Sequence, residues 1–209
     1  MKICIFGADG RTGVEVVNYA KKQGFEVLAF VYSESSNKYF PKDIEIKRGD
    51  VMDYNSVFEA VKKCEAVISV IGHIKGSDPL MQTKGMKNIV KAMQESGVKR
   101  LLSLTGTGAR VENDNPSCID KVLNFFVKIV DPERINDGVE HVKVVRNYGL
   151  DWTVVRVLKL SKKDTEVDGY KLTSGGPAEL QTSRKKVAKV SVDLIDDKNF
   201  IGKLPVISG

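Results

Sequence analysis

Three glycines stand close together near the start of the chain, at Gly7, Gly10 and Gly13. They follow a short apolar run typical of a buried strand and precede an amphipathic helix that we expect to end near Gln23. Such spacing allows a tight turn, a close approach of backbone to phosphate and close packing of the helix on the strand. Backbone N–H groups at a helix N-terminus attract a diphosphate. The stretch therefore predicts a nucleotide-binding turn, and a turn whose glycines serve geometry alone is the alternative.

The residues that follow the predicted strands are the candidate cofactor contacts, because the carboxyl ends of parallel strands form the nucleotide crevice. They are Gly7, Asp9, Gly10, Arg11, Thr12 and Gly13 after the first strand, Tyr32 and Ser33 after the second, Asp50 and Val51 after the third, Ile71, Gly72 and His73 after the fourth, and Thr105 and Gly106 after the fifth. Asp50 is equally expected as a turn residue, and His73 as a plain loop residue.

The end of the second strand bears on the choice of cofactor. An Asp or Glu there binds the ribose 2′-hydroxyl in enzymes that use NAD, but Tyr32 holds that place and Glu34 comes two residues later. Nearby cationic and hydroxyl side chains suit the oxygens of a 2′-phosphate: Arg11, Ser33, Ser35 and Lys38. The sequence therefore favours NADP, with NAD as the alternative.

The rest of the chain alternates apolar runs with helical patterns. Strands are expected at 25–31, 44–47, 66–71, 101–105 and 152–157, and helices end near 63, 96 and 148. This alternation predicts an α/β fold of the Rossmann type, a doubly wound parallel sheet with helices on both faces. A chain of 209 residues suits one such domain over 1–209.

Composition limits the other classes of function. The net charge is +6, but basic and acidic residues alternate and the densest basic cluster is only 184–186, so no nucleic-acid partner is expected. No apolar run approaches the ~18 residues of a membrane span and no signal-peptide pattern opens the chain, so a cytoplasmic protein without a membrane partner is expected, as monomer or homodimer. The three cysteines are widely spaced and there are two histidines, so we expect neither disulfides nor a metal site.

Several motifs together resemble a known family. The run from Gly7 to Gly13, GADGRTG, is similar to the GATGxTG opening of atypical short-chain dehydrogenase/reductase proteins. Further landmarks follow in the same order at 49–51, 85–90, 96–101, 149–156 and 183–188. The set resembles the NmrA-like branch, which includes flavin reductases of the biliverdin-IXβ reductase type and bacterial NADH-flavin reductases.

The resemblance implies about seven parallel strands with a small substrate-covering portion, here roughly 110–133 and 158–182. It also implies NAD(P)H and hydride transfer to a small-molecule electron acceptor, a flavin or a quinone. The chain departs from the pattern of the wider superfamily because it contains no YxxxK pair. Thr107 falls where extended members place a catalytic hydroxyl. Lys143, on the helix before the sixth strand, is the other catalytic candidate, with a solvated lysine as the alternative. The missing pair favours a second possibility, a non-catalytic NAD(P)-sensing regulator; a sugar-nucleotide or isomerase activity is disfavoured.

The segment from Cys118 to Val130 carries an apolar stripe at helical spacing that is wide enough to bury. It follows the strand that leads to the expected nicotinamide position. Phe125 and Phe126 are therefore candidates for lining an aromatic acceptor pocket. An ordinary helix that covers the edge of the sheet is the equal alternative.

Overall fold

The computed structural model describes residues 1–73, 76–161 and 167–208. Its strands are β1 (Lys2–Phe6), β2 (Glu26–Val31), β3 (Glu45–Arg48), β4 (Ala66–Ser69), β5 (Arg100–Gly106), β6 (Asp151–Val157), β7 (Lys171–Thr173) and β8 (Val206–Ser208). They form one sheet in the order β3-β2-β1-β4-β5-β6-β8-β7. All neighbouring pairs are parallel except β7 with β8, which is antiparallel. The predicted Rossmann-type sheet is confirmed, with seven parallel strands among the described residues.

Helices cover both faces of this sheet. They are α1 (Arg11–Lys22), α2 (Tyr54–Val61), α3 (Met81–Ser96), α4 (Cys118–Val130), α5 (Pro132–Arg146) and α6 (Arg184–Asp193). Short 3-10 helices span Glu34–Tyr39 and Lys198–Phe200. Buried side chains of α1 and α6 share one core, and those of α2, α3 and α5 share the other. The arrangement is the doubly wound one that the alternation predicts.

The first strand shows how the apolar runs make the sheet. Ile3 and Ile5 belong to the core on the α1 side, while Cys4 and Phe6 belong to the core on the opposite side. All four are fully buried, because successive side chains of a strand point to opposite faces and both faces carry helices.

The strand order places a crevice between β1 and β4. The chain runs from β1 outward through β2 and β3, then returns to the other side of β1 and continues through β4, β5 and β6. The loops after β1 and β4 diverge at such a switch point, and nucleotides bind there. A Cβ built on Gly7 would lie 3.1 Å from the backbone nitrogen of Ile71, so the two loops meet at the base of the crevice.

Some element boundaries differ from those expected. The helix α5 begins at Pro132, because the Asp131 carboxylate accepts a hydrogen bond from the Arg134 N–H and proline suits the first helical turn. The short strand β7 was not expected from the sequence. It falls within the predicted substrate-side range 158–182, of which residues 162–166 lie outside the described residues.

The apolar stripe of α4, although wide enough to bury, is exposed in the structure. Asp120 is the buried residue of this helix, while Phe125 and Phe126 are 63% and 57% exposed. Buried polar groups are bound by hydrogen bonds, and Thr107 supplies one to Asp120 (3.1 Å). The helix therefore turns its polar side inward and leaves its apolar side uncovered.

We expect Gly13→Ala to lower the free energy of unfolding by about 3 kcal/mol or more, because overpacking against backbone cannot be relieved by moving a side chain. A Cβ on Gly13 would lie 2.0 Å from the Gly7 carbonyl oxygen. Urea denaturation measures the change. Gly72→Ala is the matched control, since its methyl group would meet no atom within 4 Å. Equal stability of the two variants would contradict the close contact.

Candidate functional site

The N-terminus of α1 differs from those of the other described α-helices. Its N-cap is Gly10, which has extended backbone angles and no side-chain hydrogen bond to the helix. In each other α-helix, a carboxylate or hydroxyl accepts from first-turn amides: Asp53 in α2, Asp137 in α3, Ser117 in α4, Asp131 in α5 and Ser183 in α6. The first-turn N–H groups of α1 therefore have no acceptor among the described residues and suit an anion.

The glycines bring this helix end against the turn that precedes it. At Gly13 a Cβ would also lie 2.6 Å from the Cα of Ala8, and at Gly10 a Cβ would lie 3.2 Å from the Gly7 oxygen. The turn itself is closed by a hydrogen bond from the Gly10 N–H to the Gly7 carbonyl (3.1 Å). The helix therefore packs directly on the backbone of the turn, with no side chain of these glycines beside the free amides. These residues fit the diphosphate of a dinucleotide, while Thr12 is buried at the start of the helix.

Asp9 connects the glycine turn to the end of β2. Its Oδ2 accepts hydrogen bonds from the backbone N–H groups of Tyr32 (3.1 Å) and Ser33 (2.8 Å), and its own carbonyl accepts from the Ser36 hydroxyl (2.7 Å). The Tyr32 side chain is 65% exposed. A carboxylate is therefore present at the end of β2, although it comes from the turn after β1. Sequence reasoning missed this because it sought the acid along β2 itself.

Asp50 and Val51 lie at the same edge of the sheet, after β3. The Asp50 Oδ1 accepts from the Met52 N–H (2.8 Å), which is a turn contact. The Val51 carbonyl accepts from the Asn88 side chain (2.9 Å), and a Cβ on Gly85 would lie 2.9 Å from the Val51 methyl groups. These contacts fix the floor of the crevice, and cofactor contact by either residue stays a prediction.

The loop after β4 is open at Gly72 and polar at His73. A Cβ on Gly72 would meet nothing within 4 Å. The Nε2 of His73 lies 2.8 Å from Oδ2 of Asp137, off the axis of a hydrogen bond. Asp137 is fully buried on α5, and its carboxylate accepts from the backbone N–H groups of Gln82 (3.0 Å) and Thr83 (2.8 Å).

The comparison with known proteins decides the family, since residues 7–198 match the one described as NAD(P)H-binding. The chain belongs to the NAD(P)H-binding family. The match begins at the first glycine of the turn and extends beyond α6, so it covers the crevice and both layers of helices. This family membership agrees with the free amides at α1, and it confirms that the cofactor is NAD(P).

Two further proteins are similar in sequence to this NAD(P)H-binding chain. It is 28% identical over 153 residues to YwnB, an uncharacterized protein of Bacillus subtilis, covering 73% of the chain and 70% of YwnB. It is 24% identical over 216 residues to the isoflavone reductase homolog A622 of Nicotiana tabacum, covering 97% of the chain and 66% of that protein. The chain thus spans just under two thirds of the tobacco relative's length. The predicted NAD(P)-binding Rossmann fold is confirmed, and these relatives agree with the resemblance to atypical short-chain dehydrogenase/reductases.

Solved structures share the fold. A short-chain dehydrogenase/reductase from Veillonella parvula in complex with NADP superposes with a TM-score of 0.81 at 18% identity, covering 100% of this chain and 94% of that one. ChuY from Escherichia coli O157:H7, described as an anaerobillin reductase, gives 0.80 at 15% identity, covering 100% and 97%. Within the described ranges of the NAD(P)H-binding chain, no helix combines the length and apolar character needed to cross a bilayer.

The predicted catalytic hydroxyl, that of Thr107, directly follows the carboxyl end of β5. Thr105 is buried and contacts α5, where a Cβ on Gly138 would lie 2.9 Å from its Oγ1; Gly106 is exposed. The Thr107 hydroxyl donates to Oδ1 of Asp120 (3.1 Å) and accepts from the Asn124 amide (3.0 Å). The Thr107 hydroxyl is therefore bound to α4, and a catalytic role for it stays a prediction.

Lys143 is placed differently from Thr107. Its side chain is 62% exposed, and its Nζ lies 2.6 Å from Oε1 of Glu140 on the same helix. This is a surface ion pair of the kind that contributes little to stability. The structure does not pair Lys143 with Thr107 through any hydrogen bond among the described residues, and its catalytic role also stays a prediction.

Arg156 anchors the loop that leads to α4. The guanidinium is 1% exposed and binds both carboxylate oxygens of Asp114, with Nη2 2.8 Å from Oδ1. It also donates to the carbonyls of Ala109 (3.1 Å), Ser174 (3.2 Å) and Leu204 (2.8 Å). One side chain on β6 therefore connects the loop after β5 with the segment that follows β7 and with the segment that precedes β8.

His141 is the buried histidine of the chain. Its Nε2 lies 2.8 Å from the Ser103 hydroxyl, and no hydrogen-bond partner for its Nδ1 is present among the described residues. Burial lowers the pKa of His141 from 6.5 to about 4, against the opposing effect of the Asp137 charge. The side chain is thus neutral at physiological pH.

This shift predicts how stability depends on pH. In the unfolded chain His141 is protonated as the pH falls below its ordinary pKa of 6.5. In the folded chain it is protonated only near pH 4. The contribution to stability is therefore complete above pH 6.5 and is lost as the pH falls towards 4, by about 3 kcal/mol in total. Urea denaturation from pH 4 to 7 measures the slope. His141→Gln is expected to have a shallower slope, and an unchanged slope would contradict the buried neutral state.

Proposed function

We propose that the chain is an NAD(P)H-dependent reductase of a flat conjugated acceptor, a flavin or a quinone. The observation that carries the proposal is the glycine turn whose adjoining helix leaves its first-turn amides without acceptors. The relatives support a reductase, because they include isoflavone reductase homologues and, among solved structures, the anaerobillin reductase ChuY.

Different residues of the crevice would bind different parts of the cofactor. The amides of Arg11, Thr12 and Gly13 hold the diphosphate, and the open loop at Gly72 lets the rest of the cofactor pass over β4. When bound, NAD(P)H supplies a hydride. The exposed end of β5 at Gly106 would contribute to the same site, since β5 is the next strand along this edge of the sheet. Close stacking of two flat rings is what such a transfer requires.

The uncovered face of α4 is the proposed acceptor surface. The first turns of this helix are fixed to the end of β5 through the Thr107 hydroxyl, and the exposed rings lie further along the helix. The rings of Phe125 and Phe126 have centroids 6.3 Å apart and meet edge to face. A flat aromatic acceptor would bury part of this exposed apolar surface, and such burial favours binding by about 25 cal/mol per Å².

A second function is favoured by the state of the predicted catalytic residues. The Thr107 hydroxyl is bound to Asp120 and Asn124, Lys143 forms a surface ion pair, and the chain has no YxxxK pair. A protein that binds the dinucleotide and signals its presence without turnover would need none of these groups. This alternative is an NAD(P)-sensing regulator.

Anaerobic stopped-flow mixing separates the two functions. A reductase is expected to oxidise NADH or NADPH through many turnovers when menadione or FMN is present in excess. The absorbance of the reduced nucleotide at its long-wavelength maximum gives the rate. Tight binding of the nucleotide without oxidation by either acceptor would contradict the reductase and support the regulator.

The same assay tests the acceptor surface. We expect Phe126→Ala to raise the KM for menadione several-fold, since a loss of about 1 kcal/mol from partial burial of the ring weakens binding by a factor of about five. Val130→Ala, at the far end of α4 where the side chain is 81% exposed, is the matched control. An equal KM in the two variants would place the acceptor elsewhere.

For the cofactor, the geometry supports NADH as the preferred form. The sequence favours NADP because β2 is not followed directly by an acid, but the Asp9 carboxylate lies on the amides of Tyr32 and Ser33 at that place. A carboxylate there accepts a hydrogen bond from a ribose hydroxyl and repels a 2′-phosphate. Arg11, exposed at the start of α1, is the group that would act in the opposite direction.

We therefore expect wild-type protein to bind NADH more tightly than NADPH, and Asp9→Asn to shift the ratio of dissociation constants towards NADPH by about tenfold. Fluorescence titration of both nucleotides measures the ratio. Asp53→Asn is the matched control, because Asp53 is a carboxylate that caps α2 and asparagine caps equally well. Tighter binding of NADPH by the wild type would instead assign the specificity to Arg11.

A further inference from the structure

The carboxyl end of β4 holds a histidine and a carboxylate that the binding of the cofactor does not account for. The Nε2 of His73 is 2.8 Å from Oδ2 of Asp137, and the His73 side chain is 19% exposed whereas that of Asp137 is completely buried. A buried carboxylate is costly unless it is paired or hydrogen-bonded. Its presence beside an imidazole at the rim of the crevice therefore needs an explanation.

Asp137 is fixed from several directions. Each of its carboxylate oxygens accepts from one amide of the first turn of α3, from Gln82 and from Thr83, and the dipole of that helix favours a negative charge there. Its carbonyl accepts from the Thr83 hydroxyl (3.0 Å). The carboxylate is thus held in one position, where it faces His73.

His73 has one ring nitrogen turned towards Asp137 and one left for a ligand. With Nε2 beside the carboxylate, Nδ1 is the nitrogen that can meet a molecule in the crevice. The 2.8 Å contact lies off the hydrogen-bond axis, and catalytic hydrogen bonds commonly tighten only when a ligand binds. The residue directly follows Gly72, and the loop of Gly72 abuts the glycine turn through Ile71.

Two other candidate proton donors at this end of the sheet are bound or enclosed. The Thr107 hydroxyl is bound to α4, and His141 is neutral and fully buried. Among the described residues just before and within the first turn of α3, Asp78 and Lys84 pair with each other at 2.6 Å. His73 is thus the titratable side chain that joins the crevice to a fixed buried charge.

We propose that His73 gives the proton that completes reduction of the acceptor, with Asp137 as its positioning residue; this inference rests on the proposed reductase function. With a quinone, the acceptor gains a hydride from the bound nucleotide and a proton from Nδ1 of protonated His73. The Nδ1–H bond breaks as an O–H bond forms on the quinone oxygen. The neutral imidazole keeps its proton on Nε2, facing Asp137, and regains the other from water.

Kinetics of His73→Gln with menadione test the donor. We expect kcat to fall about a hundredfold, as general acid catalysis contributes at least that factor, while the reduced nucleotide still binds. In the wild type kcat is expected to depend on pH, and in the variant this dependence is expected to disappear. Retention of the wild-type rate or of its pH profile in His73→Gln would overturn the proposal and leave the reductase function intact. Absence of wild-type turnover would overturn both.

A spectroscopic measurement tests the pair without turnover. The chain has two histidines, so ¹⁵N-histidine spectra of the wild type and of His73→Gln assign both rings. Neutral His73 is expected to carry its proton on Nε2 in the wild type and to lose this preference in Asp137→Asn. Asp131→Asn, which replaces the capping carboxylate of the same helix and keeps its hydrogen bond to the Arg134 N–H, should keep both the tautomer and kcat. A neutral ring protonated on Nδ1 in the wild type would overturn the arrangement.

Discussion

The close contact between the backbone of Gly13 and the carbonyl of Gly7 is the constraint on which the cofactor site depends. A side chain at Gly13 would separate α1 from the turn that precedes it. Because the helix starts directly on the turn, no residue is placed to cap it, and its first amides face the crevice. The dipole of a helix of three turns is thereby directed at the one place where two loops diverge between β1 and β4.

Polar groups inside the molecule are concentrated at one end of the sheet. Around the carboxyl ends of β4, β5 and β6, buried hydroxyl, carboxylate, imidazole and guanidinium groups contact one another: Ser103 with His141, Thr107 with Asp120, and Arg156 with Asp114. The layers on either side of β1 and β2 are instead apolar. Buried polar groups are destabilising unless they are hydrogen-bonded. This end of the sheet is therefore held by specific hydrogen bonds rather than by apolar packing alone.

The sequence was sufficient for the fold because local signals there agree with the tertiary structure. Apolar runs make strands buried on both faces, and glycines end the helices, as Gly97 does for α3 with a left-handed backbone. The functional contacts of Asp9 and Asp137 were not predictable in this way, since each depends on two segments that are distant in the chain. For α4 the pattern revealed an apolar face but not its direction, which the polar contacts of Asp120 determine.

The buried guanidinium of Arg156 has a consequence for altering the range of acceptors. It connects the loop at 109–114 to Ser174 and Leu204 at once, and Asn115 adds a backbone hydrogen bond to Gly175 (3.0 Å). These segments, which come from separate parts of the chain, form one mechanical unit. Replacing the loop before α4 with one from another protein would therefore leave the buried cation of Arg156 without its partner. Such a replacement would succeed only if the segments that contact Arg156 were replaced together with the loop.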